Sequence, residues 1–315
     1  MKRVLLLLGT LLALLLGVVA GILGYAHWRV RSVRPPLPAI AAITTAVDGG
    51  DRPQRLSYVN TATQKMPRNS VLSSSDDPNP EAAYLMSHPS FVLEWRDGRI
   101  LLVDAGMSRE GALQFGRPIE TLGADPIQPL TSTADTLRDA CGRVTAVVFT
   151  HLHIDHVGGI EELCRCAGRK VKVFVTPAQA RVTNYTTSGA RSLLDQAPCV
   201  ELVELPGDGP LWSLPELGGV AIAHAGGHTP GSQVVFASTN GGDRYAFTGD
   251  LVNHIDGVRH NVPKPSYYSL LIVPEDREQL EHWRQLLQQL SNQGYQPVVA
   301  HDQLAIEALG IPKLR

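Results

Sequence analysis

The run Thr150-His151-Leu152-His153-Ile154-Asp155-His156 follows directly on the apolar stretch Thr145-Ala146-Val147-Val148-Phe149 and gathers four metal-ligating side chains into six residues. The stretch is short, rich in β-branched residues and uninterrupted. That is the pattern of a strand buried on both faces, whose C-terminal end delivers residues to a site. Side chains alternate along a strand, so His151 and His153 leave it on the same side. Asp155 and His156 follow where Gly158 and Gly159 let the backbone turn before Ile160-Glu161-Glu162-Leu163, which reads as a helix. Burying so many titratable groups without a shared partner would cost on the order of several kcal/mol. The run therefore restricts the chain to folds that collect strand ends around a metal.

Three later apolar runs end in the same manner. Val220-Ala221-Ile222-Ala223 leads to Gly227-His228-Thr229-Pro230-Gly231-Ser232, Tyr245-Ala246-Phe247 to Thr248-Gly249-Asp250, and Pro297-Val298-Val299-Ala300 to His301-Asp302. Two hairpins are expected: residues 90–95 with 100–104 around Asp97-Gly98, and 233–236 with 245–247 around Asn240-Gly241-Gly242-Asp243. A further strand is expected over 171–175. Helices are expected over 132–140, capped by Ser132 or Thr133, and over 274–293, where Leu280, Trp283, Leu286, Leu287 and Leu290 have helical spacing. Two halves that each end strands in His or Asp imply two similar αβ layers facing one another. Imidazole nitrogen and carboxylate oxygen suit zinc, and also iron or manganese. His151, His153, Asp155, His156, His228, Asp250 and His301 are too many for one tetrahedral ion and suit two ions with a bridging carboxylate.

The N-terminus stands apart. After Met1-Lys2-Arg3 no charge occurs until Arg29, and the apolar run of residues 4–25 is long enough, at about 1.5 Å per residue, to cross a hydrocarbon core of about 30 Å. Residues 1–27 are expected to be a signal peptide or a transmembrane anchor. Gly24-Tyr25-Ala26 offers a cleavage site, yet the run exceeds the usual h-region, and Trp28, Arg29, Arg31 and Arg34 suit the flank of an anchor. Residues 28–39 read as a linker, proline-rich and basic over 32–37, and 40–315 as the catalytic domain. A short basic tail before a long apolar run favours a domain outside the cytoplasm. There Cys141, Cys164, Cys166 and Cys199 are free to pair, in any of three ways, or to remain buried thiols. With 28 basic and 30 acidic residues the chain offers no basic face, so a small-molecule substrate is expected and nucleic acid is not.

The HxHxDH series with a distant His, Asp and His resembles the metallo-β-lactamase-fold metallohydrolase superfamily, over roughly residues 90–302. The resemblance implies an α+β fold, a four-layer αβ/βα sandwich, here preceded by the hydrophobic N-terminal helix. It also implies two divalent metal ions, zinc first with iron or manganese as alternatives. His151, His153 and His228 would hold one ion, Asp155, His156 and His301 the other, with Asp250 bridging. Asp104 and Asp302 would support these ligands from behind. A water activated between the ions would attack an ester, lactone, thioester or phosphate, and Asp155 would pass a proton to the leaving group. The Gly227 to Ser232 loop and His301-Asp302 are most similar to glyoxalase II and acyl-homoserine-lactone lactonase relatives, although Ser232 replaces a histidine of that loop. Those lactonases carry a tyrosine three residues after the bridging aspartate. Here Asn253 stands there, followed by His254; both are candidate substrate contacts, and Tyr267 and Tyr268 are candidates for the missing phenol. The expected activity is hydrolysis of a small ester-like molecule, lactones first. A phosphodiesterase or nuclease of the same fold, or a non-hydrolytic iron redox protein, are the alternatives.

Overall fold

The apolar runs resolve into two mixed sheets in a computed structural model that describes residues 2–121 and 123–314. The first contains β1 (Arg55–Met66), β2 (Tyr84–Glu94), β3 (Ile100–Val103), β4 (Gln128–Pro129), β5 (Val144–Val148), β6 (Val171–Val175) and β7 (Val200–Glu204), in the order β4-β1-β2-β3-β5-β6-β7. The second contains β8 (Leu211–Ser213), β9 (Val220–His224), β10 (Gln233–Ser238), β11 (Arg244–Gly249) and β12 (Tyr295–Val299), in the order β12-β11-β10-β9-β8. Strands β3, β5, β6 and β7 run parallel, as do β11 and β12, and the remaining pairs are antiparallel.

Phe91, Leu101 and Val148 of one sheet meet Ile222, Val235 and Phe247 of the other in a shared core. On the outer face of the first sheet, Val147 and Phe149 lie beneath Ile160, Leu163 and Leu194. On the second, Val234 and Phe236 lie beneath Ile43, Trp283 and Leu287. Strands covered on both sides must be apolar throughout, which is why β3 and β10 are buried at every position. The layers are thus helix, sheet, sheet, helix, the four-layer αβ/βα sandwich expected from the sequence.

Both expected hairpins form, with Phe91 opposite Val103 and Ser238 opposite Arg244. The helix expected over 132–140 is shorter, Thr133–Leu137: Ser132 Oγ accepts from Asp135 N at 3.0 Å, and Arg138 at φ 47° breaks the helix into a 3₁₀ turn. The helix expected over 274–293 spans Arg277–Ser291 behind an Asp276 cap. Cys141 pairs with Cys166 and Cys164 with Cys199, at Cα separations of 5.8 and 5.1 Å. The CxC pair therefore points to two different partners.

Helix Lys2–Arg31 is, among the described residues, the helix long and apolar enough to cross a membrane. It continues past the expected boundary at 27, and its end is built into the domain: Ala26 and Val30 are buried. The proline-rich segment after it is pinned as well. Arg34 donates to both oxygens of Asp276 at 2.7 and 2.8 Å and to Glu278 at 2.8 Å, and Gln279 Nε2 donates to Pro35 O at 3.0 Å. Composition suggested a loose linker there; the carboxylates that begin helix Arg277–Ser291 hold it fast.

Candidate metal centre

Strand β5 ends at Val148, and the chain then delivers His151 and His153 before a single helical turn, Ile154–Val157, brings Asp155 and His156 inward. That turn needs glycine behind it, because a Cβ on Gly159 would stand 2.3 Å from Ala105 O. From the second sheet, the loop after β9 supplies His228, the turn after β11 supplies Asp250 and the turn after β12 supplies His301. Gly249 has φ 50° and a Cβ there would lie 2.5 Å from Thr150 Oγ1, so only glycine lets β11 approach the first sheet closely enough.

All seven expected ligands meet at this edge. His151, His153, His228 and Asp250 form one group, and His156, Asp250 and His301 a second; within each group the ligand atoms lie within 4.8 Å of one another. His153 Nδ1 is 3.3 Å from His228 Nε2, and His156 Nε2 is 3.3 Å from His301 Nε2. Asp250 stands between the groups. Its Oδ1 is 3.2 Å from His156 Nε2 and 3.0 Å from His301 Nε2, while its Oδ2 is 3.7 Å from His228 Nε2 and 4.0 Å from His151 Nε2. Asp155 Oδ2 joins the second group, 3.3 Å from His301 Nε2. His151 Nε2 and Asp250 Oδ1 are buried with no hydrogen-bond partner. Orphaned nitrogen and oxygen acceptors converging on shared points fit two divalent cations.

The electrostatics of the two groups differ. Burial lowers His151 and takes His153 down to about 3, which keeps these imidazoles neutral, the ligating form. Burial also opposes charge on His301, but Asp250 and Asp155 more than offset it and raise that imidazole to about 10. The second group is thus a place where carboxylates draw positive charge.

Behind three of the imidazoles, His156, His301 and His228, stands a partner that aims the ring. Asp104, buried and at φ 61°, accepts from Thr150 N at 2.7 Å and Thr150 Oγ1 at 2.8 Å, and its Oδ2 lies 2.8 Å from His156 Nδ1. His301 Nδ1 donates to Ser87 O at 2.7 Å. His228 Nδ1 lies 2.6 Å from Glu275 Oε1, and Glu275 also accepts from Lys264 Nζ at 2.6 Å. Burial pushes the Glu275 carboxyl up, yet Lys264 and His228 outweigh it and hold the group at about 2. Lys264 Nζ donates in addition to Asp250 O.

Asp302 does otherwise than expected. Its Oδ1 accepts from Ala305 N at 3.0 Å, capping helix Gln303–Ala308, and its Oδ2 accepts from Ile255 N at 2.9 Å. It contacts no imidazole of the metal groups; the helix start claims its carboxylate.

Glu275, Lys264 and His88 escaped the sequence reading. Glu275 and Lys264 carry no motif. His88, a single histidine in β2, reads as a core residue, but its Nδ1 is 3.3 Å from Asp155 Oδ2.

A cavity of about 600 Å³ opens onto the ligands His153, Asp155, Asp250 and His301. Its other walls are largely apolar, with Met86, Phe115 and Ile119 on one side and Tyr267, Tyr268 and Ile272 on another. Asn253 lines it too, and its buried Oδ1 has no partner. His254 is turned away: its Nδ1 accepts from Asp256 N at 3.1 Å, and Arg68 Nη1 is 2.7 Å from its Nε2. Capping helix Ile255–Arg259 removes that ring from the cavity.

A family profile described as the metallo-beta-lactamase superfamily matches residues 83–292. No curated protein matches the chain. Several solved structures do. An N-acyl homoserine lactone hydrolase, with the product N-hexanoyl-L-homoserine bound at its catalytic metal centre, is 16% identical with a TM-score of 0.60, covering 82% of this chain and 96% of that one. A mutant of AiiA from B. thuringiensis, with N-decanoyl-L-homoserine at its active site, is 17% identical with a TM-score of 0.60 and the same coverage, 82% and 96%. AidC, a dizinc quorum-quenching lactonase in complex with a product, is 14% identical with a TM-score of 0.54, covering 79% and 88%. At 14–17% identity these likenesses establish a shared fold.

Proposed function

Because this chain belongs to the metallo-beta-lactamase superfamily and is a metal-dependent hydrolase of it, we propose that it cleaves a small ester-like substrate, a lactone first, at a two-metal site. The observation that carries this reading is the placement of Asp250, with one oxygen turned to each imidazole group. In this reading His151, His153 and His228 would hold one ion and Asp155, His156 and His301 the other, with Asp250 shared between the two groups. When bound there, two divalent ions, zinc foremost, would supply Lewis-acid activation of a water and of the scissile carbonyl. The chain's own groups do the rest. Asp104 and Glu275 fix the Nδ1 sides of His156 and His228, so that both Nε2 lone pairs face the centre. Asp155 carries the proton to the leaving oxygen, with Asp250 the second catalytic carboxylate. Asn253 offers its amide to the substrate, and Tyr268 a phenol. The apolar walls exclude bulk water and suit the acyl part of an ester.

The lactone preference draws on the relatives solved with acyl-homoserine products and on a cavity of matching character. We place residues 1–27 in a membrane as an anchor and residues 40–315 outside the cytoplasm as the catalytic domain. Two disulfides support an oxidising compartment, and the docked end of the N-terminal helix supports retention of that helix.

The test is to purify the full chain in detergent, count its metal ions, and assay lactone, thioester, ester and phosphodiester substrates with and without chelator. Two ions per chain and chelator-sensitive lactone turnover are expected. Turnover of phosphodiesters alone would overturn the lactone assignment. A single ion per chain, retained in His301→Ala, would overturn the two-metal site.

A further inference from the structure

Two loops beside the cavity carry apolar side chains with no protein over them. Tyr267, Leu270, Leu271 and Ile272 fall within six residues and, with Tyr185, are 40–63% exposed. A cluster of this kind marks an interaction surface, whereas singly scattered apolar residues do not. The loops touch each other, since Tyr185 Oη donates to Ile272 O at 3.4 Å. Both also touch the end of the N-terminal helix. His27 Nε2 lies 3.1 Å from Leu270 O, Arg29 Nε donates to Thr183 O at 3.4 Å, and a groove of about 540 Å³ runs between Ile22 and Tyr25 of the helix and Tyr185. This is the stretch of helix where the uncharged run gives way to Trp28, Arg29 and Arg31, the residue types that sit at a membrane–water interface. The patch is therefore continuous with the apolar helix and level with its interfacial end.

The same loops form the rim of the catalytic cavity. Tyr267, Tyr268 and Ile272 line it together with Asp155 and Asp250, and Thr186 Oγ1 of the neighbouring loop is 3.1 Å from His153 Nε2. Whatever covers the patch also faces the mouth of the site.

We infer that the occupant is the lipid bilayer: Tyr185, Leu270, Leu271 and Ile272 seat in the membrane surface beside the helix, and the cavity opens there to an amphiphile delivered from the membrane. The substrate class is an ester- or lactone-headed molecule with an acyl chain, its carbonyl at the metal groups and its chain along Met86, Phe115 and Ile119. The inference rests on the anchor and hydrolase readings above, and its test separates their failure from its own.

Full-length protein is placed in vesicles of phosphatidylcholine and phosphatidylglycerol that contain a diazirine-tagged phosphatidylcholine, irradiated, and mapped by peptide mass spectrometry. Labels are expected in residues 4–25, 183–188 and 267–273. Labels confined to residues 4–25 would overturn the patch and leave the anchor standing, whereas a chain labelled nowhere would overturn both. Unlabelled loops in a dimer that Leu270→Glu with Leu271→Glu dissolves would assign the patch to a second copy and overturn the proposal. Neither leucine lines the cavity. In that double variant, turnover of a short, water-soluble ester is expected to be unchanged, while turnover of a long-chain ester embedded in vesicles falls roughly tenfold or more. Equal retention of both activities would overturn delivery from the membrane.

Discussion

Asp250 has two oxygens committed to two different imidazole groups, so removing its charge should disturb both at once. Asp250→Asn keeps the shape of the side chain; metal analysis is expected to show one ion or fewer per chain, and kcat to fall on the order of 10²-fold or more. Glu275 acts at one remove, through His228. Glu275→Gln is expected to lower metal affinity by roughly 10–100-fold in chelator competition, with activity restored by excess zinc. Its acid behaviour follows from the same geometry. The carboxyl lies at about 2 against an ordinary 4.5, so its stabilisation is complete above about 4.5 and is lost as pH falls toward 2. Melting temperatures of the wild type and Glu275→Gln should converge across that window, the wild type being the one that changes. The seven candidate ligands were legible because each lies at or shortly after the end of one of four apolar runs. Glu275 and Lys264 were not, because their partnership with His228 is made by the tertiary fold. Asp302 and His254 misled for a local reason: both stand at helix starts, where a polar side chain is claimed by the backbone.

Helix Ile160–Ala167 follows directly on the metal-binding turn and is tied at two points, Cys164 to Cys199 and Cys166 to Cys141. Replacing Cys164 and Cys199 together by serine is expected to cost roughly 2–5 kcal/mol in urea unfolding, with metal stoichiometry retained in the folded protein. A reductant, which opens both bridges, should produce at least that loss in the wild type and little further change in a chain lacking all four cysteines. Hairpin elements were readable from their Asp-Gly and Gly-Gly turns. Strand β1 was not, since polar residues occupy its buried positions: Asn60 Oδ1 accepts from His88 N at 3.0 Å, and Thr61 Oγ1 donates to His88 O at 2.7 Å. Where polar side chains are satisfied inside the sheet, alternation of hydrophobicity carries no signal.

The division of ligands between two sheets was foreshadowed by strand ends in both halves of the chain, and so was the layered architecture. The mounting of the domain on its N-terminal helix was not, because a proline-rich, basic stretch looks like a spacer until Asp276 is brought beside it. A chain beginning at His27 should melt higher than one beginning at Pro36, which loses Val30 and Arg34. Burial of Val30 contributes about 1.5–3 kcal/mol, and the part-exposed Arg34 pair at most about 1, so calorimetry should show a difference of roughly 3–7 °C. Asp276 is also the chain neighbour of Glu275, whose carboxylate steadies His228. A version trimmed at Pro36 is therefore expected to hold metal more weakly than the full chain. Assays of the two forms would then disagree because of where the polypeptide was cut, with every catalytic residue still in place.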